Sequence, residues 1–410
     1  MKKPIGVLLG TALAASLMLS HGPAVRAGDD VLSKSWDDIV KAADGGTVNW
    51  FMWGGSDSIN AYVSEWVGGQ IKEKYNITVN RVGINDTVEA VNTVLGEAEA
   101  GVKETGSVDM IWINGENFRT MKQGDLLFCG YPEKMPNNAY LNWDDAAVAY
   151  DFGTPVDGCE VPWGRAQVAV GYNASKVKAP PRTIPALIDW IKANPGRFTY
   201  PAPPDFTGSV FVRHVFYHAA GGAERLLVDF DQGLYDEVAG KTWKILNDLE
   251  PYLWREGSTY PNDSAALDQL FANQEVDFMV TYEPTRIGLN VNDGVFPKTT
   301  SSYALDDGTI GNVHYVAIPF NSPNKAAAVV LANFLISPEA QYQKAQPDVW
   351  GVPSALDTTK TPGDWPAKFA AIPRHEAVVS LEDLAARSLP ELRGDWLTAI
   401  EKGWIENVGR

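Results

Sequence analysis

Val108-Asp-Met-Ile-Trp-Ile-Asn-Gly-Glu-Asn117 and Val276-Asp-Phe-Met-Val-Thr-Tyr-Glu-Pro284 make the same statement twice. Each is a short apolar, β-prone run that stops at a polar loop carrying a glutamate. Each follows an amphipathic helical pattern. Ahead of the first, Val88, Val91, Leu95, Ala98 and Val102 recur at helical spacing behind Asp86-x-x-Glu89, a capping-box pattern. Ahead of the second, Leu267, Leu270 and Phe271 follow Ser264. Open α/β sheets build ligand sites where a helix feeds a buried strand with polar groups at its carboxyl end. One such unit in each half predicts two α/β lobes facing one another across a cleft.

The flanking text extends this pattern. Thr47–Trp53 reads as a strand that breaks at Gly54-Gly55-Ser56-Asp57, and Ile77–Val82 as the next, giving β-α-β-α-β order and a mainly parallel sheet in each lobe. Ala166–Tyr172 and Asn312–Ile318 read as strands able to cross between lobes. Phe198–Tyr200 reads as a strand, a helix is expected from about Ser209, and the tail from Leu381 reads as helical and polar. The expected division is 28–165 with 313–345 for lobe 1 and 166–312 for lobe 2. Residues 346–410 would be a C-terminal helical segment packing on the lobes.

Residues 1–27 look like a cleavable secretory leader. Lys2 and Lys3 precede an apolar run, and Val25-Arg26-Ala27 offers small residues at the cut. The run is shorter than the roughly 20 residues a membrane span needs. No cysteine stands at the cut, so no lipid anchor is expected and the product should be a soluble periplasmic protein. Its 383 residues would carry 31 basic and 51 acidic side chains, a poor match to nucleic acid or to an anionic membrane surface. Cys129 and Cys159 are the only cysteines, and in an oxidising compartment a lone pair is most simply a disulfide, two free thiols being the alternative.

Trp53-Gly-Gly-Ser, Val161-Pro-Trp-Gly, Pro203-Pro-Asp-Phe-Thr-Gly-Ser, Tyr282-Glu-Pro and Phe334-Leu-Ile-Ser-Pro-Glu-Ala-Gln, with Val108–Phe118, appear in an order that resembles the periplasmic solute-binding proteins of ABC importers. The likeness is to the polyamine, thiamine and ferric-iron branch, its YnjB-type members in particular, over about residues 36–405. It implies a type II two-lobed fold with hinge strands and a cleft that closes on solute. It also implies docking of a monomer on an inner-membrane permease driven by an ATPase subunit, and no enzyme chemistry or cofactor. Iron binders of that branch use adjacent tyrosines, and this chain has no Tyr-Tyr pair.

Candidate binding residues sit at the strand ends. Trp53, Gly54, Gly55 and Ser56 offer an aromatic face and a helix start. Asn114, Glu116 and Asn117 offer polar groups and a charge for a cation. Phe206, Thr207 and Ser209 stand at a helix start in the second lobe, and Tyr282 and Glu283 mirror Asn114–Asn117. Trp163, Asn312 and Trp350 stand beside the hinge. A solvated loop, a tight turn, an N-cap or a core tryptophan would also account for each residue, and the chain has 14 Trp. His214 and His218, four apart on a predicted helix, lack a third partner in sequence, so no metal is expected. A secreted hydrolase or lyase is the competing reading, but the chain lacks Gly-x-Ser-x-Gly, His-Glu-x-x-His and a P-loop. A ligand-sensing adaptor of the same fold is the third. The helix starts at Ser56 and Ser209 argue for an anionic or zwitterionic solute, but the acidic, aromatic strand ends tilt the reading to a cationic or zwitterionic one such as thiamine or a polyamine.

Overall fold

A computed structural model describes residues 31–409; the expected leader at 1–27 lies outside them. Strand β1 (Thr47–Trp53) buries Val48, Trp50 and Met52 on one face, a period-two alternation. It pairs in parallel with β2 (Thr78–Ile84) and with β3 (Met110–Ile113). The apolar run of β3 is covered on both sides of the sheet, as expected of a central parallel strand. Asp109, just before β3, is fully buried and satisfied by Asn49 N–H, the Ser322 hydroxyl and the Asn324 amide.

A hairpin of β4 (Tyr150–Asp151) and β5 (Thr154–Pro155) leads into β6 (Glu160–Gln167), and the chain then enters the second lobe as β7 (Ala169–Asn173). That lobe adds β8 (Phe278–Thr281) and β9 (Thr300–Tyr303). The chain returns as β10 (Thr309–Ala317), and β11 (Ser388–Leu389) pairs with the start of β10. The first sheet runs β2-β1-β3-β10-β6, with β10 antiparallel to β3 and β6.

The two-lobed α/β class holds, but the second sheet is not mainly parallel. Its order is β8-β7-β9, and β7 runs antiparallel to both neighbours. Strands β8 and β9 run the same way, joined through the helix Pro284–Asn292. Strand β7 is inserted between them because it arrives from the other sheet, which sets its direction. The expected strand 166–172 is two strands meeting at Val168: its N–H still bonds Ile310 O at 2.9 Å, in register with the β6–β10 pairing, and from Ala169 onward the chain pairs with β8 and β9 instead. Phe198–Tyr200 is no strand; its aromatics are buried and Phe198 O accepts Trp254 N–H instead.

Helices cover both faces of the first sheet: Trp36–Ala43 and Lys325–Leu335 on one, Val88–Glu99 and Gly115–Gln123 on the other. The second lobe's core is built from Phe206–Ala220 and Gln232–Leu249. The C-terminal helix Gly394–Asn407 joins that core through Trp396, Ile400 and Trp404. The Cys129–Cys159 disulfide staples the base of the loop carrying β4 and β5.

Candidate functional site

The seam between the lobes is lined by the residues after β3, the start of Phe206–Ala220, the end of β8 and the C-terminal helix. Asn114 ends β3 in extended backbone, and Gly115 turns the chain at φ +63. The Gly115 N–H donates to Asp151 Oδ2 at 2.8 Å, and the Phe152 ring lies 3.5 Å from where a Gly115 Cβ would stand. Glu116 follows. Its Oε1 accepts from Asn117 Nδ2, whereas its Oε2 is buried without a partner. Burial, then the Glu401 carboxylate, push its pKa up from the usual 4.5 to about 7.

Across the seam, Asp205 caps Phe206–Ala220, its Oδ1 accepting from Thr207 N–H and Gly208 N–H at 2.9 Å each. The helix thus starts at Phe206, three residues earlier than expected, and two of its free amides already have an anionic partner. That weakens the case for an anionic solute at this end. Phe206 packs against Tyr282 and, across the seam, against Phe152, with ring centroids 5.1 and 6.1 Å apart. The Arg213 guanidinium stands 5.5 Å over its face.

Arg213 organises this side and was not expected from sequence. It is fully buried. Its Nη2 donates to the Tyr282 hydroxyl at 2.7 Å, its Nη1 to Ser209 Oγ at 2.8 Å, and its Nε lies 3.2 Å from Glu391 Oε2. Glu391 Oε1 also accepts from the Tyr282 hydroxyl and from Asn312 Nδ2. Burial opposes the Arg213 charge, but Glu391, Tyr282, Glu401 and Tyr217 together outweigh it, so the guanidinium stays ionised. Ser209 in turn donates to Glu401 Oε1 at 2.6 Å. The sequence signal was present: one arginine inside Val210-Phe-Val-Arg-His-Val-Phe216 requires a buried partner. That partner lies 178 residues away.

Thus Glu116, Phe206, Thr207, Ser209, Tyr282 and Asn312 fall in one neighbourhood, with Asn114 and Asn117 beside them. The C-terminal helix lines the second lobe's side; a Cβ on Gly394 would stand 3.2 Å from Glu116 Cα, and Arg119 lies 3.6 Å from Asp395. The other candidates form two separate groups. Trp53 folds its ring over Gly55, where a Cβ would stand 2.3 Å from the indole. Gly54 N–H donates to Ile84 O, and Ser56 Oγ meets Ser58 Oγ. Among the described residues, no hydrogen bond or ion pair ties this corner to the second lobe. Trp163 and Trp350 are buried in the first lobe's aromatic core, and Trp350 Nε1 reaches across to Glu283 Oε1 at 3.0 Å. His214 has both ring nitrogens engaged, Nδ1 by Val210 O and Nε2 by Ile310 N–H, so neither is available to a metal.

The model of the bacterial extracellular solute-binding protein family matches residues 66–373. This chain belongs to that family. Protein YnjB of Escherichia coli K12 is 38% identical over 378 residues, covering 92% of this chain and 95% of YnjB. Among solved structures, an ABC transporter substrate-binding protein of Bradyrhizobium japonicum superposes with a TM-score of 0.63 at 17% identity, over 88% of this chain and 99% of that one. The spermidine/putrescine substrate-binding protein PotD of Streptococcus pneumoniae gives 0.59 at 13% identity, over 88% and 98%. These likenesses place the fold among type II periplasmic binding proteins.

Gly208 is the position where the second-lobe loop tolerates least. A Cβ there would stand 2.0 Å from Pro201 O, main chain against main chain. Gly208→Ala is expected to lower unfolding free energy by about 1–3 kcal/mol, the usual penalty of overpacking. It should also weaken solute binding by displacing Phe206 and Ser209. Urea unfolding of the variant within 0.5 kcal/mol of the parent would contradict the contact.

Proposed function

We propose that this protein captures a small organic cation or zwitterion in the periplasm by hinge closure and hands it, as a monomer, to an ABC permease. One observation carries the charge assignment. Glu116 Oε2 is buried at the seam without a protein partner, with Glu401 and Asp86 adding negative potential and Arg213 already committed to Glu391. A ligand ammonium or thiazolium beside Glu116 would supply the missing opposite charge. Phe152, Phe206 and Tyr282 would supply a flat aromatic boundary. The polyamine binder among the structural neighbours is consistent with this solute class.

The pH dependence follows. A carboxyl raised from 4.5 to about 7 is mostly protonated at pH 6 and mostly ionised at pH 8. A cation that needs the ionised form should bind about tenfold tighter at pH 8 than at pH 6, releasing a proton below pH 7. In the free protein the sign is opposite. The folded state favours the protonated form, so the contribution of Glu116 to stability declines as pH rises from 4.5 through 7. Calorimetric titration of thiamine, spermidine, putrescine and amino acids at both pH values tests this, with Glu116→Gln as control. Binding of a cation with the same affinity at pH 6 and 8, or unchanged affinity in Glu116→Gln, would remove the charge-pairing role. A phosphate or dicarboxylate as the tightest ligand would overturn the solute class.

A further inference from the structure

Away from Glu116, on the face of the first sheet covered by Lys325–Leu335, an aromatic block forms from Trp50, Trp112, Trp163, Trp350 and His314. Trp163 is its hub, with centroid distances of 5.0, 5.1, 5.2 and 5.7 Å to Trp50, Trp112, Trp350 and His314. Lys344, from the helix Pro338–Ala345, inserts its Nζ 4.9 Å over the Trp163 ring and 5.5 Å over the Trp350 ring.

Lys344 is fully buried, and its Nζ has no hydrogen-bond partner; among the described residues no carboxylate pairs with it. Trp50 Nε1, Trp163 Nε1 and His314 Nε2 are buried without partners in the same block. Native interiors satisfy nearly all such atoms, and an isolated buried ammonium is among the costliest groups to leave uncompensated. The ring faces attract the ammonium, but cation–π attraction is a smaller term than desolvation of a full charge. Water would satisfy donors without neutralising the lysine. A small anion would do both. Burial pushes the pKa of Lys344 and of His314 down, a bias that a bound anion would reverse for the lysine.

We propose that this block is a binding site for a small monovalent inorganic anion of the chloride class, with Lys344 as charge partner. The orphaned Trp50 N–H, and His314 as a neutral ring carrying its proton on Nε2, are the neighbouring donors for the anion. The site is separate from the Glu116 neighbourhood and needs no solute. It would fix Trp350, whose indole N–H reaches Glu283 of the second lobe.

The test uses the full mature chain dialysed into gluconate, then titrated with chloride or bromide at constant ionic strength. A saturable rise in Tm and saturable quenching of tryptophan fluorescence by bromide are expected, with an anomalous bromide peak bonded to Lys344 Nζ in crystals. Lys344→Met should abolish all three. If that variant fails to fold, the halide comparison on the parent chain decides alone. Equal Tm in gluconate and chloride, with no bromide at Lys344, overturns the proposal. So does a halide response of the same size in a folded Lys344→Met protein.

Discussion

Arg213→Met should lower the free energy of unfolding by about 3–5 kcal/mol, the usual result of removing one partner of a buried ion pair. Arg213 is 0% exposed and its partner Glu391 4%. After the substitution the Glu391 carboxylate would remain in the core, facing the Tyr282 hydroxyl and the Asn312 amide but no positive charge. The ion pair joins a helix of the second lobe to the C-terminal segment, so its loss should also loosen the helix Gly394–Asn407 from that lobe. The double variant Arg213→Met, Glu391→Met separates burial from pairing. With both charges gone, no unpaired ion is buried, and most of the lost stability should return. Denaturant unfolding of the two single variants and the double variant measures the coupling. A coupling below about 0.5 kcal/mol would mean that the pair is not the centre of the second lobe's side of the seam.

The second large effect concerns the disulfide. Cys129→Ser, Cys159→Ser should cost about 3–4 kcal/mol on the chain-entropy model, from release of a loop whose ends are 30 residues apart. The effect should extend to the site. The stapled loop carries Asp151, whose carboxylate accepts the Gly115 N–H, and Phe152, which packs on Phe206 across the seam. Loss of the bridge should therefore weaken solute binding as well as folding, and reduction of the parent protein should reproduce both effects. Unfolding within 1 kcal/mol of the parent, with solute affinity unchanged, would show that Gly130–Gly158 main-chain pairing and local packing hold the loop without it.

Several parts of this molecule were legible in one dimension because their causes are local. The strands β1, β2, β3 and β8, and the helices that precede β3 and β8, declare themselves by the spacing of apolar residues, which needs no partner to be read. Polar, glutamate-bearing loops after β3 and β8 mark strand ends for the same reason. Other parts were not legible. The hinge strand read as one element is two, because its partner changes at Val168 from β10 to β8 and β9. The direction of β7 depends on which sheet it leaves, and no local pattern records that. For Trp163, beside the hinge, the sequence left a binding face and a core tryptophan both open; packing puts it at the hub of an aromatic core.

The sequence by itself therefore determined two α/β lobes with acidic, aromatic strand ends, along with a single cysteine pair. Tertiary structure alone decided which charges meet there: Arg213 with Glu391, Ser209 with Glu401, and Glu116 left with a buried, unpartnered oxygen. The physical reason is separation along the chain. Periodicity is fixed by neighbours a few residues apart, whereas the Arg213–Glu391 pair joins positions 178 residues apart, brought together only when the C-terminal helix packs into the second lobe's core.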